Sequence, residues 1–211
     1  MNAIDALPVR PAQQIVGDVS GLPDYSFGPT SLGWWAVLGF MLIEGMAFVL
    51  AIGVYFYLIP YEHRWPPVPT APPSLLWGTT FLVIGLLSEI PNFWLDRQSR
   101  AQRLRPVQWG LTAMSLLGLV LLAVRCFEFT EMNTRWDQTA YGSIVWALLA
   151  LHTTHITTDV YDSLVLNVLV FRKKIDGRKF SDVSDNALYW HFIVFSWVVI
   201  YLILYWLPRW L

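Results

Sequence analysis

Five apolar runs, each long enough to cross a bilayer as a helix, leave this chain little choice of fold. They lie at about Leu32–Ile59, Ser74–Leu95, Val107–Phe127, Ala140–Phe171 and Ala187–Leu207, against the roughly 20 residues that a membrane helix needs. The first and fourth exceed that length, so they tilt or project beyond the membrane. A composition 55% hydrophobic and only 14% charged agrees with an integral membrane protein. The predicted fold is all-α: a multi-pass bundle of five transmembrane helices over residues 32–211, preceded by a tail over 1–31. The tail has four prolines (Pro8, Pro11, Pro23 and Pro29) and no basic cluster followed by a short apolar core, so no cleavable signal peptide is expected. Pro60, Pro66, Pro67 and Pro69 close the first span. Pro106 opens the third, and Pro91 is expected to kink or end the second.

Basic residues in the short loops set the direction. Arg97, Arg100, Arg103 and Arg105 fall in one loop; Arg172, Lys173, Lys174, Arg178 and Lys179 fall in another; the opposite loops hold only Arg64 and Arg135. The positive-inside rule makes the basic loops cytoplasmic, with the N-terminus inside and the C-terminus in the periplasm. Tryptophans mark both boundaries, Trp34, Trp35, Trp94, Trp109 and Trp190 on one side and Trp65, Trp77, Trp136, Trp206 and Trp210 on the other. A net charge of −1 gives no reason to expect nucleic acid as a partner. The single cysteine, Cys126, lies in an apolar run and reads as a small buried hydrophobe.

The fourth run carries His152, His155, Asp159 and Asp162. Spaced three, four and three apart, they share an arc of roughly 80° on a helix, with Tyr141 and Thr158 near the same face. An ionisable side chain at the membrane centre costs at least about 2.5–3.5 kcal/mol on insertion scales. This stripe therefore faces protein, water or a lipid headgroup. His152 and His155 have the i, i+3 spacing of a metal clip, but a haem pair needs further histidines at matching depth. His191 is the only other membrane histidine, near the cytoplasmic end of its span. Structural or cavity-facing histidines are the preferred reading, with no haem, copper or other metal held by this chain. Glu44, in mid-span with Phe40, Phe48, Ala51 and Tyr55 on its face, must find its partner on another helix. A functional carboxyl and a simple helix–helix hydrogen bond both remain open. Glu89 is placed to snorkel or to pair with Arg97. Arg125 and Glu128 read as an i, i+3 ion pair at the outer boundary. Asp159 and Asp162 fit either a proton path or hydrogen bonding between helices.

Several of these residues occur in motifs that resemble cytochrome c oxidase subunit III. Tyr141-Gly142-Ser143, with His152 and His155 at offsets eleven and fourteen, is similar to the family's Y-G-S…H-x-x-H helix. Asp185 followed by Tyr189-Trp190-His191-Phe192 and then Trp197 resembles its final helix. Leu42-Ile43-Glu44-Gly45-Met46-Ala47-Phe48 is similar to the segment around its membrane glutamate, and Cys126-Phe127-Glu128-Phe129 to its acidic-aromatic helix end. Departures stand at Asp159, where the family has glycine, and at Val194, where it has aspartate. Arg172 follows the second histidine by seventeen positions, where the family has a basic residue at about fourteen.

The resemblance implies a non-catalytic subunit of a haem–copper terminal oxidase, in the five-helix bacterial form. It would sit in the inner membrane against catalytic subunits I and II, which carry the haem and copper. It implies bound phospholipid in a cleft between the first helix and the rest, and support for proton uptake and for durability in turnover. Glu44, His152, His155, His191 and Arg172 are the residues it assigns to that cleft. The rivals are the homologous accessory subunit of a nitric oxide reductase, a small proton-coupled transporter using Glu44, Asp159 and Asp162, and a b-type cytochrome.

Overall fold

A computed structural model describes residues 27–172 and 177–211. Most of the expected tail lies outside the described residues, as do Lys173, Lys174 and the side chain of Arg178. The regular secondary structure of the described residues is helical: α1 (Leu32–Leu58), α2 (Leu75–Arg100), α3 (Leu104–Thr130), α4 (Ala140–Phe171) and α5 (Gly177–Tyr201), the last continued by a π-helical turn over Leu202–Trp206 and a short α6 (Leu207–Trp210). Among the described residues, four stretches are long and apolar enough to cross a membrane: Leu32–Tyr61, Leu75–Arg100, Leu104–Thr130 and Lys179–Trp210. The longest helix, α4, is not among them, because its His, Thr and Asp residues dilute its apolar run.

Local chemistry sets the helix ends. Ser31, Ser74 and Thr139 cap α1, α2 and α4 by accepting the N–H of Trp34, Leu76 and Gly142, which satisfies a donor left over in each first turn. After α1 the chain makes one tight turn over Ile59–Tyr61 and enters the proline-rich connection to α2. Pro91 does not end α2, which runs on to Arg100 with Pro91 inside it. Pro106 falls inside the first turn of α3, where no intrahelical N–H partner is lost. The α2–α3 connection therefore shrinks to residues 101–103. There Gln102 adopts a left-handed conformation (φ 51°) and Arg103 N–H returns to the Gln98 carbonyl, a common helix stop.

Helices α2, α3, α4 and α5 form a four-helix bundle in which α2 packs on α3 and α5, and α4 on α3 and α5. Helix α1 stands outside it and packs chiefly against α4 and α5. Only Phe48 and Tyr55 of α1 are buried, so most of its surface is apolar and exposed. Cys126, expected in the core, lies exposed on α3. In a membrane chain an apolar run has no water-avoiding side to distinguish core from periphery, so hydrophobicity alone misplaced it. The bundle helices approach closely where side chains are absent. A Cβ added at Gly78 of α2 would lie 2.5 Å from Cζ of the Tyr205 ring.

That contact is testable. Gly78→Val forces the Tyr205 ring out of its position and lowers stability by about 1–3 kcal/mol. Thermal unfolding in detergent should show the loss; an unchanged midpoint would mean that the ring moves freely.

Candidate functional site

Two buried polar clusters and an open cleft are built around the inward face of α4. The first cluster centres on Arg125 of α3. Its Nη1 donates to Glu128 Oε2 at 2.6 Å, and its Nη2 lies 3.1 Å from His152 Nδ1. The guanidinium is held between the Phe81 ring of α2, 4.0 Å away, and the Trp197 ring of α5, 3.9 Å away. His152 Nε2 lies 3.0 Å from the Ile193 carbonyl. A carbonyl accepts only, so Nε2 carries the ring proton and Nδ1 offers its lone pair to the guanidinium. Tyr205, within the π-helical turn, donates its hydroxyl to Glu128 Oε1. Expected as a boundary ion pair, Arg125 and Glu128 are instead 0% and 3% exposed. Their position along α3 is near the helix end, but Phe81, Trp197 and Tyr205 of the π-turn enclose them.

The second cluster holds α1 to the bundle. Tyr189 of α5 donates its hydroxyl to Glu44 Oε2 at 2.6 Å, and His155 Nε2 of α4 lies 3.2 Å from Glu44 Oε1. His155 Nδ1 faces the Leu151 carbonyl at 2.5 Å, and Phe48 packs on the imidazole with centroids 4.9 Å apart. Both ring nitrogens of His155 therefore meet oxygen, one of them a carboxylate. His191 belongs to a third group, between α2 and α5. It pairs with Glu89, packs at a tilt against the Phe93 ring, and neighbours Asn92, whose Nδ2 donates to the Ala187 carbonyl at 2.9 Å. Arg97 is therefore not the partner of Glu89.

The cleft, of about 790 Å³, opens between the first turns of α1, the C-terminal half of α4 and the start of α5. Asp159, Asp162, Asp182 and Asp185 line it among apolar residues of α1 and α4. Asn186 Nδ2 reaches Asp159 Oδ1 at 3.1 Å and Asp162 Oδ2 at 3.3 Å, while its carbonyl accepts from Ser163 Oγ at 3.1 Å.

The structure thus divides the expected site. Glu44 and His155 meet. His152 sits in the Arg125 cluster, and His191 lies against α2. Arg172, at the C-terminal cap of α4, is exposed and does not line the cleft. Tyr141 is at the far end of α4, packed edge-on against Trp65 with centroids 5.0 Å apart. Sequence reasoning missed Asn186, Tyr205 and the Phe81–Trp197 clamp, and noted Tyr189 only as part of a motif. The available signal was the demand itself: every membrane carboxyl needs a donor on a neighbouring helix.

The sequence pattern of the family described as cytochrome c oxidase subunit III matches residues 63–209. The chain is 25% identical over 187 residues to cytochrome c oxidase subunit 3 of Synechocystis sp., an alignment covering 84% of this chain and 77% of that one. It is 22% identical over 177 residues to cytochrome c oxidase subunit 3 of Thermostichus vulcanus, covering 82% and 86%. It is 23% identical over 183 residues to that of Drosophila yakuba, covering 82% and 68%.

The Arg125 cluster makes a sharp prediction about stability. Arg125→Met strands the Glu128 carboxylate in the core and costs about 3–5 kcal/mol, whereas Arg125→Met with Glu128→Gln recovers much of that loss. Unfolding of both variants in detergent checks this; equal losses in the single and double variants would show that packing, not charge, dominates.

Proposed function

We propose, since this chain belongs to the cytochrome c oxidase subunit III family, that it serves as the accessory subunit of a bacterial haem–copper oxidase. In this reading it packs on catalytic subunits I and II in the inner membrane. Its N-terminus is cytoplasmic, and it holds phospholipid in the cleft beside α1. The observation that carries the reading is the Glu44–Tyr189–His155 cluster, which ties the otherwise lightly attached α1 to α4 and α5 directly beside a cleft of lipid-sized volume. Apolar walls with a few polar groups are what an amphiphile's site requires.

A cytoplasmic N-terminus for α1 is supported by Arg97, Arg100, Arg103 and Arg105 in and around the α2–α3 connection, all of them exposed. The cleft then opens at the cytoplasmic level of the membrane, where protons enter an oxidase. A carboxyl and an imidazole that share a hydrogen bond at mid-membrane can hold or pass a proton between them, which supports a role in proton uptake.

His152 favours the accessory role over a cytochrome. One of its nitrogens is committed to the Ile193 carbonyl and the other to a guanidinium, and an axial haem ligand needs an available lone pair. Electron and oxygen chemistry then belongs to cofactors of other chains.

Division of labour of this kind is measurable. In a fully assembled, haem-replete complex, Glu44→Ala together with His155→Ala should leave initial oxygen consumption and the haem spectrum largely intact. Activity should decay severalfold faster over repeated turnovers, and fewer phospholipids should co-purify. Immediate loss of nearly all activity would instead place this pair on an essential path.

A further inference from the structure

An ionisable pair lies half-exposed on the outer surface of the bundle, within its membrane-spanning part. Glu89 of α2 pairs with His191 of α5, and their side chains are 19% and 29% exposed. Both belong to stretches of membrane-crossing length. Glu89 is seven residues, about 10 Å of helix, inside Asp96, and His191 is six residues inside Asp185. His191 Nδ1 donates to the Glu89 carboxylate. Its Nε2 is left with Asn92 Nδ2 at 3.5 Å, an amide that already donates to the Ala187 carbonyl at 2.9 Å. Acyl chains offer no hydrogen bond to such a pair, and facing them is costly. Other exposed faces ask nothing of a neighbour at this depth. Leu42, Ile43 and Met46 of α1 and Leu116, Leu119 and Val120 of α3 are apolar. Thr154 and Thr157 of α4 donate to carbonyls of their own helix at 2.9 and 2.8 Å.

We propose that the α2/α5 face centred on Glu89 and His191 docks against a membrane helix of a neighbouring oxidase subunit, and that this helix presents a hydroxyl to His191 Nε2. The inference rests on the reading of this chain as an accessory subunit and adds the face by which it is held. The pair stands in an apolar surface of the kind such a helix covers. Leu86 and Phe93 share the Glu89 side of α2, and Phe195 and Leu202 the His191 side of α5, at spacings of three, four and seven. Phe93 and Phe195 are 63% and 71% exposed. The Phe93 ring packs on the imidazole with centroids 4.5 Å apart, which joins the two stripes. A hydroxyl both donates and accepts, so it satisfies Nε2 whether or not that nitrogen carries a proton. A second copy of this chain suits the face poorly. A two-fold contact sets like against like, and each Glu89–His191 pair would meet another pair in place of a hydroxyl.

The test uses the assembled complex in its own membrane, with the photo-reactive residue benzoylphenylalanine placed singly at Phe93, Phe195 or Leu116, all exposed positions that tolerate an added ring. After irradiation, mass spectrometry identifies what each position has captured. Phe93 and Phe195 should both attach to one membrane helix of a catalytic subunit, and Leu116 to lipid. Capture of lipid alone at Phe93 and Phe195 in an intact complex overturns the proposal, as does capture of a second copy of this chain. Purification of the chain without any catalytic subunit would instead sink the accessory-subunit reading itself. A second measurement addresses the polar contact. Glu89→Leu with His191→Phe replaces the pair by apolar groups, which the fold accepts, but strands the partner's hydroxyl. Dissociation of the catalytic subunit on dilution in mild detergent should then occur at about tenfold higher concentration, the scale of one lost hydrogen bond. Unchanged dissociation would overturn the hydroxyl contact.

Discussion

One guanidinium holds the four-helix bundle in register. Arg125 rises from α3 into a site walled by Phe81 of α2, His152 of α4 and Trp197 of α5, and its carboxylate partner is held by Tyr205 of the π-turn. A charge buried this fully is tolerated only with partners in place. Any slip of one helix by a turn removes a wall or a hydrogen bond, so the pairings of all four helices are fixed at one point. Stability is not the obvious reason to keep such a group, because well-packed apolar residues of similar volume serve as well or better. Uniqueness is: helices that are apolar all round can pack in many registers, and a single site demanding four contributors admits one.

Helix α1 is attached on different terms. Outside the bundle, with only Phe48 and Tyr55 buried, it is secured by the Glu44 contacts to Tyr189 and His155 and by aromatic packing near its far end. A hydrogen-bonded carboxyl at mid-helix sets the depth of α1 against α4 and α5 but does not close the gap above it. The cleft follows from that arrangement. Between the Glu44 contacts and the close approach of Asp185 to Gly33 in the first turn of α1, α4 presents Asp159 and Asp162, and the space between stays open.

Much of this was legible in the sequence. Membrane length and the prolines between spans located five helices, because helix geometry and bilayer thickness leave few alternatives. The stripe on α4 correctly implied an inward face. What stayed hidden depends on partners from other helices. Arg125 and Glu128 looked peripheral because their position along α3 is near an end, and no feature of the sequence shows that Tyr205, in a π-turn continuing α5, bonds Glu128. Glu89 has Arg97 just over two turns away on its own helix, yet His191 across the interface is its partner. Pro91 signalled a break, but a proline in a packed membrane helix need not end it when neighbouring helices support the backbone.

The two halves of α4 answer the same problem differently. Towards its N-terminus the polar groups are neutralised inside the protein: His152 meets a carbonyl and a guanidinium, and the carboxylate of that cluster meets an arginine and a tyrosine. Towards its C-terminus the carboxyls of Asp159 and Asp162 share a single amide, Asn186, which has two N–H groups to give and gives both. The first arrangement is closed, and adding a ligand would only break it. The second leaves Asp159 Oδ2 buried without a hydrogen-bond partner among the described residues, beside the cleft. That difference divides α4, with one end fixing the scaffold and the other lining the cleft.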